Sequence, residues 1–502
     1  MVISDRARRL SVLQWAARAL TWVAFTGAGA AAGAEARNPG PGFTCLGRIQ
    51  PRHARQIRTS NWSVGAETMD RDYTVYKNWR TYLGPLGVKK ARIQSGWAKT
   101  EKAKGVYDWA WLDEIIPDMA AQGVEPWVCL CYGNPIYPGG GGTGLGGGLP
   151  TSDEALKAWD AFVGAFVERY RRYVNEWEVW NEANLRRKSV TDHYADLLVR
   201  TAEVIRTRQP KARILAMATP GVGTSFTRGV LERLKQRGKL GLVDEVTYHP
   251  YSLNPDKSYP AALGLRKLVA SYDRRITIRQ GENGAPSKRG SFGALSNYDW
   301  SERLQAKWAL RRLLGDLGRD IPSSYFAICD MAYRVTKAGR DSDATTAGQT
   351  RLKINYKGLL AIHRDRTVHH VKEAYRAVQH VTAVFDGSLK RIAEYPWASQ
   401  PTFKNIAVFA YARGDKGQVV TIWLSGKAPQ AGFAAHRATF TFARGAFADP
   451  VYVDLLTGRV YDIPEATWSR TGTRYTFRDV PVHDWPVLIA DRSAIGKIVP
   501  DR

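Results

Sequence analysis

Cysteine is scarce, at four residues in 502. That is too few to form a disulfide framework in a chain this long, and no Cys/His cluster has zinc-binding spacing. A metal site is therefore not expected. Cys129 and Cys131 lie two apart in the apolar run Pro126 to Tyr132, on one side of any strand there, as suits buried thiols. No glycine fingerprint follows the first candidate strand, and no Gly-Lys-Ser/Thr follows the glycine-rich segment Gly139 to Gly148. Dinucleotide and phosphate-loop chemistry thus have no footing, and no cofactor is implied. Acidic residues are outnumbered: 47 Asp plus Glu stand against 73 Lys plus Arg, a surplus of 26 positive charges. Such a surface attracts anionic partners. The basic residues are spread along the chain, with only short dense runs such as Arg186 to Lys188. A solvated basic surface is the simpler reading, and nucleic acid is not an expected partner.

No apolar run reaches the roughly 20 residues that cross a bilayer. The first 34 residues read as an export signal: Arg6, Arg8 and Arg9, then an apolar stretch from about Ala19 to Ala32, then Ala32-Gly33-Ala34 as a small-x-small cleavage site. Arg18 and Trp22 fit that pattern poorly. The expectation is an exported protein, periplasmic or extracellular, with no integral membrane segment in its mature chain. Oligomeric state is not readable.

The chain is rich in core-forming residues, 44% hydrophobic with 24% charged, which excludes a disordered polymer. From about Asn61 to Asp330, short β-branched apolar runs alternate with amphipathic stretches. The candidate strands are Asn61 to Ala66, Val88 to Gln94, Val124 to Tyr132, Asn175 to Trp180, Arg213 to Ala218, Val243 to Tyr248, Arg275 to Glu282 and Ser323 to Cys329. Between them, Trp111, Leu112, Ile115, Ile116 and Met119 share one helical face, as do Leu156, Trp159, Phe162, Val163, Phe166 and Tyr170. Eight βα pairs over this length predict a closed (β/α)8 TIM barrel rather than an open doubly wound sheet. The glycine-rich segment becomes a mobile rim loop after the third strand. After a last helix, Val371 to Phe385, short β-branched and aromatic runs at Ile406 to Tyr411, Val419 to Leu424, Ala438 to Phe442, Val451 to Leu456 and Val487 to Ala490 predict a small all-β sandwich. The expected division is a signal at 1–34, a barrel at 35–385 and a β-sandwich-like domain at 386–502.

Two strings carry chemistry. Trp177-Glu178-Val179-Trp180-Asn181-Glu182-Ala183-Asn184 closes the fourth strand, and Arg279-Gln280-Gly281-Glu282-Asn283-Gly284 closes the seventh. Side chains at the C-terminal ends of barrel strands face the mouth. Glu182 and Glu282 therefore converge there, as a glycosidic bond requires: one acid to protonate the leaving oxygen, one carboxylate to attack carbon or activate water. A lone glutamate at a strand end is as often a cap or ion-pair partner; the joint placement is what points to catalysis. Glu178, four residues earlier and deeper, reads as structural. Trp97, Tyr132, Asn134 and Trp180 are candidate rim residues for sugar contact.

The first string, followed by Leu185, resembles the acid/base motif of clan A glycoside hydrolases, most closely family 39, the β-xylosidase and α-L-iduronidase family. The likeness extends through Val88 to Trp97, Gly105-Val106-Tyr107-Asp108-Trp109, Leu112-Asp113 and Val124-Glu125-Pro126-Trp127 to Asp244 and His249, covering roughly residues 60 to 380. It implies a retaining hydrolase with Glu182 as acid/base and Glu282 as nucleophile, the carboxyls roughly 5 to 5.5 Å apart rather than the 6.5 to 9.5 Å of an inverting enzyme. Arg92 resembles the clan arginine that keeps the nucleophile ionised, Asn181 the asparagine that binds a sugar 2-hydroxyl, and His249 with Tyr251 the pair that bonds the two carboxylates. Asn134 joins these as a substrate-binding candidate. Two departures stand out. Gly281 replaces a frequent Thr, and Cys329-Asp330-Met331-Ala332-Tyr333 replaces the tryptophan platform, leaving Asp330 or Tyr333 to contact sugar. The implied partner is an oligosaccharide or polysaccharide, and the basic charge favours an acidic one. A transglycosidase using the same pair, or a non-catalytic carbohydrate-binding barrel, are the alternative readings. The loops at 133–152 and 331–355 would decide between exo and endo action.

Overall fold

The structure is a computed structural model that describes residues 40–185, 190–335, 351–414 and 417–501. The export signal and most of the basic stretch from Lys337 to Arg351 lie outside the described residues. Among the described residues no helix is long and apolar enough to cross a membrane.

The eight expected barrel strands form one closed barrel. A preceding strand, β1 (Cys45–Ile49), is followed by the barrel strands β2 (Trp62–Gly65), β3 (Lys90–Gln94), β4 (Glu125–Leu130), β5 (Glu176–Val179), β6 (Arg213–Pro220), β7 (Glu245–His249), β8 (Thr277–Asn283) and β9 (Ser323–Tyr325). Each pairs in parallel with the next, and β2 pairs with β9 to close the ring. Helices Ala110–Ala121, Asp153–Tyr170, Thr191–Arg208, Thr224–Gln236, Tyr259–Tyr272, Glu302–Leu317 and Glu373–Val384 follow successive strands from β3 onward. Asp153–Tyr170 begins with Ser152, whose hydroxyl accepts from the Ala155 amide, an N-cap that satisfies a free helix donor. Its buried face holds Trp159, Phe162, Val163, Phe166 and Tyr170, as the spacing predicts.

The loop after β4 is held together by backbone pairing: Gly133 N–H donates to Gly142 O, Asn134 N–H to Gly140 O and Gly142 N–H to Gly147 O, each at 2.9 Å. A side chain at Gly133 or Gly140 would sit 2.3 or 2.1 Å from a carbonyl oxygen, so glycine permits the close approach. The expected mobile loop is thus an internally bonded one.

The C-terminal residues form two antiparallel sheets, one of eight strands and one of four. The larger runs Lys390–Ile392, Ile406–Ala412, Gln418–Leu424, Val487–Asp491, Pro450–Asp454, Arg459–Asp462, β1 and Ile498–Val499 in spatial order. β1 therefore belongs to this sheet and not to the barrel, although about 400 residues separate it from its partners. Buried side chains tie barrel to sheets. Lys307 donates to Asp484 at 2.8 Å, and Arg311, paired within the barrel with Asp256 at 2.5 Å, donates to the Ser425 carbonyl at 3.1 Å.

Candidate active site

Barrel strands deliver side chains to a single mouth. At the end of β5 the backbone takes left-handed turns at Trp180 (φ 64°) and Glu182 (φ 49°), conformations that L-residues adopt at a cost of order 1–3 kcal/mol and that concentrate at functional sites. The Glu182 amide donates to the Ala218 carbonyl of β6 at 3.0 Å, anchoring the turn. Glu282 lies within β8, and His249 closes β7.

Glu182 and Glu282 meet at His249. Its Nδ1 lies 3.0 Å from Glu182 Oε1 and 3.7 Å from Glu282 Oε2. One ligand atom from each of the three groups lies within 4.8 Å of the others. The two carboxylates retain 10% and 13% side-chain exposure, enough to touch a solute while largely shielded. Tyr251 donates its hydroxyl to Glu282 Oε1 at 2.7 Å. Gly281 has a local reason: a Cβ there would meet His249 Nε2 at 3.3 Å and Thr247 Cβ at 3.2 Å, so its absence gives the imidazole room.

Arg92, fully buried, organises the floor. Nε and Nη2 approach Glu178 Oε2 at 2.7 and 2.6 Å, and Nη2 donates to Asn181 Oδ1 at 2.9 Å. Nη1 serves two acceptors, Glu67 Oε1 at 3.0 Å and Glu282 Oε2 at 3.3 Å. Glu178, held from the other side by the Thr247 hydroxyl, is the structural acid it was expected to be. Asn181 donates through Nδ2 to the Tyr132 hydroxyl at 2.8 Å, which fixes its amide orientation.

The electrostatics follow from three carboxylates around one guanidinium. Burial, opposed by Arg92 and reinforced by Glu282, pushes Glu67 up to about 7. Burial disfavours the His249 imidazolium, but the carboxylates of Glu282 and Glu182 outweigh it and raise its pKa. Glu182, His249 and Glu282 are close enough to approach a cation, yet Arg92 already sets a positive charge 3.3 Å from Glu282. His249 Nδ1 meets Glu182, while Glu282 accepts from Tyr251 and Arg92, and among the described residues no other such cluster occurs.

Several sequence expectations are corrected. Asn134 is fully buried; its Nδ2 donates to the Glu101 carbonyl at 2.8 Å and its Oδ1 accepts from the Ile136 amide at 3.2 Å, so it braces the loop and cannot bind substrate. Trp97 is also fully buried, stacked on Tyr137 and Phe162. Trp180 packs between Tyr132 and Trp159. Asp330 is buried against Lys372 at 2.6 Å, which leaves Tyr333 of the two residues offered after the last barrel strand. Tyr333 is partly exposed and packs on Tyr73 and Phe292 at ring distances of 4.6 and 4.9 Å. Tyr333 and Tyr73 join Phe326 and Tyr251 in an apolar group distinct from the main core.

Sequence reasoning missed Glu67 and Lys357. Glu67 sits just past the end of the first strand, a position that could have flagged it. Lys357 lies far along a connection after the last strand and carries no such signal.

No family model matches the chain, and no curated protein sequence does. Solved structures do. A family 39 glycoside hydrolase from the gut symbiont Bacteroides cellulosilyticus WH2 superposes with a TM-score of 0.58 at 16% identity, covering 86% of this chain and 81% of that one. The fold is shared with family 39 glycoside hydrolases. A monomeric β-xylosidase from Caulobacter crescentus CB15 gives a TM-score of 0.55 at 17% identity over 89% of this chain and 97% of that one. A family 30 subfamily 8 xylanase from Clostridium acetobutylicum gives 0.54 at 12% identity over 89% and 98%. The likeness spans the barrel and the β-sheets together.

Proposed function

We propose that the protein is a retaining glycoside hydrolase using Glu182 as acid/base and Glu282 as nucleophile. The observation that carries this reading is the short gap between the two carboxylates, with atoms within 4.8 Å across a partly open mouth. That gap is nearer the roughly 5 to 5.5 Å of a retaining pair than the 6.5 to 9.5 Å of an inverting one, and suits direct attack on the anomeric carbon. Glu182 donates its proton to the glycosidic oxygen as Glu282 attacks and the leaving group departs. Glu182 then takes a proton from water, which displaces Glu282 and regenerates both groups. Tyr251 and Arg92 donate to Glu282 and hold it as an acceptor aimed at the sugar. His249 positions Glu182. The names of the structural neighbours, β-xylosidases and a xylanase among them, make β-xylosides the first substrates to try. Export would follow from the N-terminal pattern alone.

The test is a panel of nitrophenyl glycosides with proton NMR of the first-formed anomer. Retained configuration, with kcat reduced at least about a thousandfold by Glu282→Gln, is expected. Inverted product, or a Glu282→Gln variant with full turnover, refutes the reading. Adding an acceptor sugar separates hydrolysis from transglycosylation.

A further inference from the structure

The opposite face of the barrel holds a cavity of its own. It measures about 570 Å³ and lies at the N-terminal ends of the strands, where Trp62, Lys90, Glu176, Arg213 and Glu245 stand, whereas Glu182 and Glu282 stand at the other ends. Its floor is an ion network that closes the barrel. Glu176 takes Lys90 at 2.5 Å and Arg279 at 2.7 Å, and Glu245 takes Arg279 at 2.7 Å and Arg213 at 3.3 Å. Burial acts to raise Glu176, but Arg279 and Lys90 outweigh it and hold the carboxyl down at about 2. Both floor carboxylates are thus engaged by floor cations.

The wall carries cations that this network leaves over. Arg274 lines the cavity, is exposed, and makes no hydrogen bond or ion pair among the described residues. Arg266, partly exposed, uses Nη2 on the carbonyls of Arg319 and Asp320 at 2.7 and 3.1 Å. Those bonds fix its guanidinium at the wall, and no carboxylate lies in ion-pair range of it among the described residues. Asp320, the remaining acid that lines the cavity, is paired with Arg391 at 2.6 Å. Arg213 is loosely held: its contacts to Glu245 and Glu176 are 3.3 and 3.7 Å, and its side chain is 42% exposed. Three guanidiniums therefore reach one space open to solvent. Guanidinium forks suit the oxygens of phosphate, to which they donate in pairs. The charges left on Arg266 and Arg274 match a phosphate group, which carries about −1.5 to −2 at pH 7, better than a singly charged anion.

We infer that this cavity binds a phosphate group, as the free ion or as a monoester of a small organic molecule, between Arg213, Arg266 and Arg274. The site is remote from Glu182 and Glu282 and does not depend on the hydrolase reading.

The test is isothermal titration calorimetry of the full chain with inorganic phosphate and with glycerol phosphate at fixed ionic strength, against chloride and glycerol. Saturable binding of at least one phosphate species, with none for chloride or glycerol, is expected, and the tighter of the two identifies free ion or monoester. Arg274→Ala removes no intramolecular contact and should weaken that binding by about tenfold or more. Lys267→Ala, exposed on the helix Tyr259–Tyr272 and outside the cavity, should leave it within about twofold. Absence of saturable phosphate binding overturns the inference, and so does binding that is unchanged in Arg274→Ala. Equal weakening by both variants overturns it as well, because it would mark a diffuse surface attraction and not a site.

Discussion

Glu67 offers a sharp test of the site's electrostatics. It is 2% exposed, Oε1 accepts from Arg92 at 3.0 Å, and Oε2 finds no partner among the described residues. It also faces the negative charge of Glu282, and its pKa rises from an ordinary 4.5 to about 7. A raised carboxyl pKa means that the folded state holds this proton more tightly than the unfolded chain. The corresponding stability is fully present below about pH 4.5 and is lost as pH rises through about 7. At about 1.4 kcal/mol per unit, the gap amounts to on the order of 3 kcal/mol. Glu67→Gln replaces the protonated acid with a neutral group of the same shape and abolishes the titration. Urea unfolding of both proteins at pH 4.5 and pH 8 is the measurement. Near pH 4.5 the two should be of similar stability, and at pH 8 the variant should gain on the wild type by an amount of that order. A wild type minus variant difference that is the same at both pH values would falsify the account, because it would mean that Glu67 is ionised throughout, held by Arg92 against its burial.

Tyr251→Phe removes the 2.7 Å hydrogen bond to Glu282 and should lower kcat/KM by roughly ten- to a hundredfold with an unchanged melting curve; steady-state kinetics that match the wild type would rule out its positioning role. Trp97→Ala empties a fully buried aromatic stack and should cost about 3–5 kcal/mol of stability with no change in the ranking of sugars. A change in that ranking would return Trp97 to the rim. Lys307→Met strands Asp484 beside the barrel and should destabilise by a few kcal/mol, seen as earlier proteolysis between barrel and sheets; equal protease resistance would show that the pair does not hold them.

Much of the molecule was legible because two kinds of information are local. Alternation of apolar runs with helical faces such as Trp159, Phe162 and Phe166 specifies βα units, and eight of them leave a closed barrel as the economical arrangement. The rule that strand ends face the mouth then placed Glu182, His249 and Glu282 in one site and left Glu178 below it. Other features depend on geometry that sequence position does not carry. Asn134 and Trp97 stand next to strand ends as the rim candidates do, and only the path of the glycine-paired loop and the aromatic stack decided that they are buried. β1 was not among the expected strands, and its place in the sheet came from partners at the far end of the chain.

Period and strand order are properties of neighbouring residues, so the chain alone determined the barrel and the pair of glutamates at its mouth. The charge state and company of those glutamates depend on how much water is excluded and on which remote groups the packing brings within a few ångströms. Tertiary structure alone therefore decided that Arg92 is shared among Glu67, Glu178 and Glu282, and that Lys357 is buried with no carboxylate in ion-pair range among the described residues.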